Sequence, residues 1–320
     1  MCQTQYNFTV KRYVEAYFDV WNGFIEASDN ATFLFHRNYM EYHADRFVDF
    51  SLLVFEVDVL IAVLPAHVAN NTLYSHQGLT YGGVFVKKGT TAMALDMVFK
   101  KIVAFAQKKS ITTMVIKQMP IFYNAVQDNV WKFLFEKYRV QSICQQKVLS
   151  VDYANFSLHK TKLKHYKKAL KAGLYIKQDT KFSLFWERVL IPRLRQKHNA
   201  KPVHTLQEIE YLHKLFPQQI FQFNAYLHDE ILAGITIFDK GAVVKSQYGA
   251  TTDLGEKLFA MDFLFVHLIE HYKTIGKQYF SMGTVTEKNA LGYNPGLLRQ
   301  KIELGCTEYP FHYFQIHIDG

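Results

Sequence analysis

Cysteine is scarce in this sequence. The chain of 320 residues has three, Cys2, Cys144 and Cys306, at irregular spacing. An odd, scattered set excludes a disulfide framework and a thiolate metal site, and reads as free thiols in a reducing compartment. Long apolar runs are lacking too. The most apolar stretch, Ser51 to Val68, is broken by Glu56, Asp58 and Pro65, so it is no membrane span. No basic region followed by an apolar segment opens the chain, so no signal peptide is expected and a cytoplasmic location follows. No G-x-S-x-G elbow and no G-x-G-x-x-G fingerprint is present. Acidic residues are nearly missing from one segment: Ser157 to Lys201 holds 13 Lys and Arg against Asp179 and Glu187. The formal charge of +9 is therefore local, since the rest of the chain has 24 basic and 26 acidic residues. Such a patch attracts a phosphate-bearing cofactor, an RNA or an anionic membrane surface, or it is a solvated helix face.

Core material is plentiful. Hydrophobic residues make up 49% and aromatics 16% of the chain, which excludes global disorder and suits two domains or one large one. Helical spacing predicts helices over Lys11–Ala27, Asn38–Arg46, Thr90–Lys109 and Val126–Tyr138. Alternating or β-branched runs predict strands over Ser51–Phe55, Val59–His67, Thr72–Ser75, Ile111–Lys117 and Val140–Val151. A basic helix, Thr161–Ala172, opens the second half, with Gly173 as a left-handed cap. A short strand, Leu174–Gln178, follows. A helix over Phe182–Gln196, kinked near Pro192, and another over Leu206–Phe216 come next. A hairpin over Ile220–His228 and Ile231–Phe238 leads to a strand at Ala242–Ala250. Then come a long helix at Lys257–Lys273, a strand at Gln278–Met282, a short helix at Pro295–Leu304 and a closing strand at His312–Ile318.

The same order occurs twice. Meandering strands lead to a long helix, a strand, a shorter helix and a last strand, once from Leu52 to Val151 and again from Phe221 to Ile318. A duplication at this scale predicts two α/β (α+β) halves with mixed sheets, at residues 1–152 and 153–320.

Two stretches of the second half resemble the FemAB-like transferases. One is the basic helix Lys164-His165-Tyr166-Lys167-Lys168-Ala169-Leu170-Lys171-Ala172-Gly173. The other is Tyr279-Phe280-Ser281-Met282-Gly283 with the later Gly296-Leu297-Leu298-Arg299-Gln300-Lys301 and Leu304-Gly305. Gln247-Tyr248-Gly249-Ala250 fits between them. Phe35-His36-Arg37, Tyr42 to Arg46 and Ser75-His76-Gln77-Gly78 are similar in the first half. The resemblance implies tandem GNAT-like (acyl-CoA N-acyltransferase) domains, with mixed, mostly antiparallel sheets flanked by helices. It also implies transfer of an acyl or aminoacyl group from an activated donor to an amine. The Arg/Gln-x-x-Gly-x-Gly/Ala loop of single-domain acetyl-CoA enzymes is absent. Thr251 to Lys257 takes its place, with one Gly and two acids. The helical arm of some tRNA-using members is missing as well.

Direct attack by an amine needs alignment, a neutral amine, donors at the developing oxyanion and an acid for the leaving group, but no enzyme nucleophile. Tyr248 and Lys301 are the candidate catalytic residues, the phenol as donor and the ammonium facing a phosphate or carboxylate. The plainer readings are a packed core Tyr and a surface Lys. Arg299 is a weaker substrate-binding candidate, on a different helix face from Lys301. In the Gly-rich stretch from Tyr74 to Gly83, His76, Gln77 and Tyr81 are candidates to contact the acceptor, with Gly permitting close backbone approach to a ligand; a turn with local hydrogen bonds is the alternative. Lys164, Lys167, Lys168 and Lys171 share one helix face and suit a polyanion.

The sequence thus reads as an N-acyltransferase using acyl-CoA or aminoacyl-tRNA, with no metal. Its acceptor is a small-molecule or precursor amine. A tRNA and the surface of an anionic membrane are the further partners the charge admits. A tRNA-dependent transferase of peptidoglycan-precursor type is the alternative. His267-Leu268-Ile269-Glu270-His271 matches the H-x-x-E-H pattern of a zinc peptidase, without a third ligand in view. A non-catalytic binding module on the same fold is the fourth reading.

Overall fold

The computed structural model describes residues 7–28, 31–123, 137–138 and 140–318. The helix expected over Val126–Tyr138 falls almost wholly outside them. By its contacts the chain divides into unit 1, Met1–Gln146 with Pro310–Gly320, and unit 2, Lys147–Tyr309. The C-terminal segment therefore lies with unit 1, whereas its place in the sequence sets it in the second half.

In unit 1, β1 (Phe8–Arg12), β2 (Leu52–Glu56), β3 (Val59–Leu64) and β6 (Phe85–Val86) form an antiparallel sheet in that order. β1 has no counterpart in the sequence reading, which ran a helix back to Lys11. The helix starts later, at Phe18–Ala27, because Arg12 to Phe8 pair with Leu52 to Glu56. A second group orders β4 (His67–Ala69), β5 (Thr72–Tyr74), β7 (Thr113–Lys117) and the end of β14 (Cys306–His317). Here β5 and β7 are parallel, and β14 pairs antiparallel with β7. The helix Ala92–Gln107 makes the crossover. Thr91 caps it by accepting from the Ala94 amide at 3.2 Å. Its Leu95, Val98, Phe99 and Ile102 bury against Leu52, Val54, Leu73 and Met114. Each such side chain contributes about 1.5–3 kcal/mol when fully buried.

In unit 2, β8 (Gln141–Asp152), β13 (Tyr279–Thr284), β12 (Val243–Thr251), β11 (Glu230–Lys240), β10 (Ile220–Leu227) and β9 (Tyr175–Asp179) are neighbours in that order. All the pairs are antiparallel except β12 with β13. The basic helix spans Lys160–Lys171, and Gly173 ends it at φ +88°, with the Leu174 amide bonded back to the Ala169 carbonyl. The helix expected to kink near Pro192 widens into a π-helical stretch at Trp186–Leu190 before Ile191–His198. Proline has no N–H to give the preceding turn. The expected long helix is two pieces, Asp253–Lys257 and Ala260–Thr274. Phe259 separates them at φ +60°, a conformation bulky side chains seldom adopt. Leu264, Leu268 and Ile269 of the second piece pack on Ile235, Val244 and Phe280.

Candidate functional site

The pattern strand, long helix, parallel strand occurs once in each unit, and in each the parallel pair is short. In unit 2 the pairing runs Val243↔Tyr279, Val244↔Phe280 and Lys245↔Ser281, then stops. Both strands continue, β12 to Thr251 and β13 to Thr284. The β12 side bulges at Gln247, where its register with β11 shifts, and the β13 side bulges at Met282, where its register with β8 shifts. A bulge adds twist and bends its strand away. Past Lys245 and Ser281 the two strands share no ladder pair among the described residues, which leaves a gap in the ladder.

Lys301 stands at that gap. It comes from the helix Pro295–Glu303, whose first turn is set by Pro295 and capped by Asn294 accepting from the Leu297 amide at 2.8 Å. Its side chain is buried, and its ammonium donates to the carbonyls of Met282 at 2.6 Å, Thr284 at 2.8 Å and Gly283 at 3.4 Å. Burial holds its pKa down to about 8, with nearby Cys306 acting in the opposite direction. The sequence reading gave this ammonium a substrate phosphate or carboxylate. Its donors are instead taken by the end of β13, which it clamps. Arg299 points elsewhere, as the helical spacing requires, and pairs in solvent with Glu303 at 3.0 Å.

Tyr248 lies on β12 three residues past the last β13 pair. It sits opposite Thr236, with its ring edge-on to Trp186, centroids 5.2 Å apart. Its hydroxyl accepts from the His204 amide at 3.1 Å and lies 2.5 Å from His204 Nδ1. The direction of the second contact is set by the imidazole tautomer; where the ring donates, the phenolic proton is left for another acceptor. Burial pushes the phenol up to about 12, so it keeps that proton at neutral pH. Tyr248 and Lys301 thus attach to the two parted strands, and no hydrogen bond joins them. His204 was not singled out in the sequence; the turn Pro202–Thr205 before a Thr205–Glu208 capping box is the signal that places it.

The segment between β12 and the long helix carries charge of the wrong sign for a pyrophosphate. Asp253 pairs with Arg193 at 2.8 Å, and Glu256 pairs with Arg193 and with Lys197, the latter at 2.9 Å. Gly255 serves packing there: a Cβ would lie 2.5 Å from the Leu232 carbonyl oxygen.

Lys164, Lys167, Lys168 and Lys171 are all exposed, on one side of the basic helix. The opposite side is anchored. Lys162 is buried and bonded to both Asp262 oxygens at 3.0 Å, and His165 Nδ1 lies 2.6 Å from Asp262 Oδ2. Lys168 also lies over the Phe259 ring, 5.5 Å from its centre.

In unit 1 the parallel pairing of β5 and β7 ends at Tyr74↔Val115. His76 and Gln77 follow and line a cavity of about 230 Å³. His76 is buried and takes φ +67°. Burial, together with His43, His67 and Arg37, lowers its pKa to about 3. The Gln77 amide donates to His67 Nδ1 at 3.4 Å. Tyr81 is fully buried, bonded to Thr32 at 3.4 Å and packed against Phe35, so it has no surface to offer an acceptor. The glycines here make room for the protein itself: a Cβ on Gly78 would meet His43 Nε2 at 2.2 Å, and one on Gly82 the Ser75 carbonyl at 2.1 Å.

His267 and His271 stack at 6.4 Å on the long helix. Among the described residues no group of three or more His, Cys, Asp or Glu is arranged to hold a metal ion. Among them, too, no helix is long and apolar enough to cross a membrane.

Two units, each with a mostly antiparallel sheet, a short parallel pair and a crossover helix, define a tandem GNAT fold. The fold is that of the FemAB-like transferases. The structure of FemX superimposes with a TM-score of 0.67 at 11% identity, covering 97% of each chain. L-PGS from Bacillus licheniformis gives 0.57 at 15% identity, over 80% of this chain and 81% of that one. A tandem GNAT protein from the clavulanic acid biosynthesis pathway gives 0.50 at 9% identity, over 98% and 99%. No protein-family model matches the sequence, and no curated protein matches it either.

Proposed function

We propose that the chain is an N-acyltransferase that moves an acyl or aminoacyl group from an activated donor to an amine by direct attack. The observation that carries this is the parting of β12 and β13 beyond Lys245 and Ser281, with Tyr248 on one strand and Lys301 clamping the other. The donor carbonyl lies in the gap, where backbone N–H groups freed from the ladder face its oxygen. The neutral amine forms the C–N bond, the C–S or C–O bond of the donor breaks, the amine's proton passes to solvent, and the leaving group gains a proton from a phenol that is reprotonated from solvent by way of His204. Tyr248 supplies that proton and His204 holds its hydroxyl in line. Lys301 is a positioning residue, because its donors fix the strand rather than the substrate. His76 and Gln77 are substrate-binding residues in this reading.

The donor is acyl-CoA or aminoacyl-tRNA. The acids Asp253 and Glu256 at the start of the helix after β12 disfavour a CoA pyrophosphate there. The exposed row Lys164, Lys167, Lys168 and Lys171 favours the tRNA. Labelled acetyl-CoA and labelled aminoacyl-tRNA, each supplied with amino-sugar and amino-acid acceptors, test the proposal. Label in a base-stable amide with one donor is expected, and none with either contradicts it.

A further inference from the structure

The unit 1 cavity has one charged group in its wall. Ser75, His76 and Gln77 come from the turn after β5, Lys117 from the end of β7, and Tyr313 from β14. The turn is firmly built: the Ser75 amide bonds the Val115 carbonyl at 2.9 Å, and Ser75 Oγ accepts from the Lys117 amide at 2.9 Å. The Lys117 ammonium donates to the Leu79 carbonyl at 3.2 Å and lies 5.6 Å from the ring centre of Tyr313 and 5.7 Å from that of Phe311. Among the described residues no carboxylate pairs with it. A largely desolvated ammonium without counter-charge lowers stability and calls for an anion. Burial brings its pKa down to about 8, which still leaves it mostly charged at neutral pH.

His76 follows Ser75 in the cavity wall. Its ring is only 4% exposed and packs among His43, Phe47 and His67, and its Nδ1, itself out of reach of solvent, has no hydrogen-bond partner among the described residues. It is held in a backbone conformation that costs energy, about 1–3 kcal/mol for such a residue. With its pKa near 3 the ring is neutral, so it adds no second positive charge. One cation, a neutral imidazole and no Arg match a single negative charge. A phosphate dianion would call for a second cation or a bidentate guanidinium. The volume exceeds the roughly 150 Å³ of an apolar cavity that holds benzene, so a ring with polar substituents fits.

We infer that this cavity binds a small monocarboxylate of monosaccharide or amino-acid size, with the carboxylate on the Lys117 ammonium. The assignment does not rest on the transfer reading: binding is measured without donor or turnover.

Titration calorimetry with glucuronate, glucose and glucose 6-phosphate tests it. Glucuronate is expected to bind at least ~10-fold more tightly than glucose, and more tightly than the phosphate. Lys117→Met is expected to abolish that preference while unfolding at the same or a higher temperature, because it removes an uncompensated buried charge. A merely structural lysine would give the opposite shift. Lys117→Gln, which keeps a donor for the Leu79 carbonyl, is expected to weaken glucuronate with the fold intact, and this variant decides the matter if Lys117→Met does not fold. Glucuronate binding no tighter than glucose, unchanged binding in the variants, or a preference for the phosphate would overturn the assignment.

Discussion

The Lys301 ammonium donates to the Met282 carbonyl at 2.6 Å, and so fixes β13 one residue past its last pair with β12. Thr284 and Gly283 share the same ammonium. The strand end that borders the proposed donor gap is therefore held by a side chain from another element.

Lys301→Met fills most of the volume and removes the donors, leaving buried carbonyls unpaired. The expected loss of stability is about 2–4 kcal/mol, at roughly 1–3 for each unsatisfied group, read by urea unfolding. Turnover should fall with it, and an Arg at 301 should not restore it, since a guanidinium cannot offer three donors at one point.

Tyr248→Phe keeps the ring on Trp186 and deletes the hydroxyl that His204 engages. A stability loss of about 1–2 kcal/mol is expected from the orphaned amide. A fall in kcat of about 100-fold, with KM little changed, is expected if the phenol protonates the leaving group. Equal turnover in both proteins would remove Tyr248 from the chemistry.

His76 gives a pH signature. Its folded pKa, about 3, lies below the ordinary 6.5. Between those values the unfolded chain binds more protons, so stability rises with pH there and is lost as pH falls from about 6.5 towards 3. His76→Asn removes that contribution. Relative to the wild type, His76→Asn should therefore gain stability as pH falls below about 6.5, with a constant offset in denaturant midpoint above about pH 7; a constant offset throughout would contradict the buried neutral imidazole.

The basic helix should show itself in salt dependence. Changing Lys164, Lys167, Lys168 and Lys171 together to Gln leaves the Lys162–Asp262 anchor in place. The log–log salt slope of RNA binding should then drop by about 3, at roughly 0.7 per lost phosphate contact. An unchanged slope would make this row a solvated face.

Much of this architecture was legible in the chain. The Ile220–Leu227 and Glu230–Lys240 hairpin, the Ala92–Gln107 helix and the basic helix capped by Gly173 follow from periodicity and cap chemistry, which are local. What escaped is long-range. Phe8–Arg12 is a strand only because Leu52–Glu56 lies beside it, and Lys11 and Arg12 carry no local signal of that. The break at Phe259 is set by a backbone no propensity favours, with His165 stacked on its ring at 4.0 Å. For the candidate site, the sequence singled out Tyr248 and Lys301 but not the groups that bond them. His204 lies 44 residues before Tyr248, and the carbonyls that hold Lys301 carry no side-chain identity at all. Tyr81 and Gly78 sat in a suggestive polar stretch, yet they serve packing against Phe35 and His43.

Hydrogen exchange on the protein with and without donor tests the central claim most directly, using acetyl-CoA and an aminoacyl-tRNA in turn. One donor should protect Ser246–Thr251 of β12 and Met282–Thr284 of β13 and leave the paired residues Val243–Lys245 unchanged. Protection by neither donor at these parted ends, or protection confined to other strands, would contradict the account.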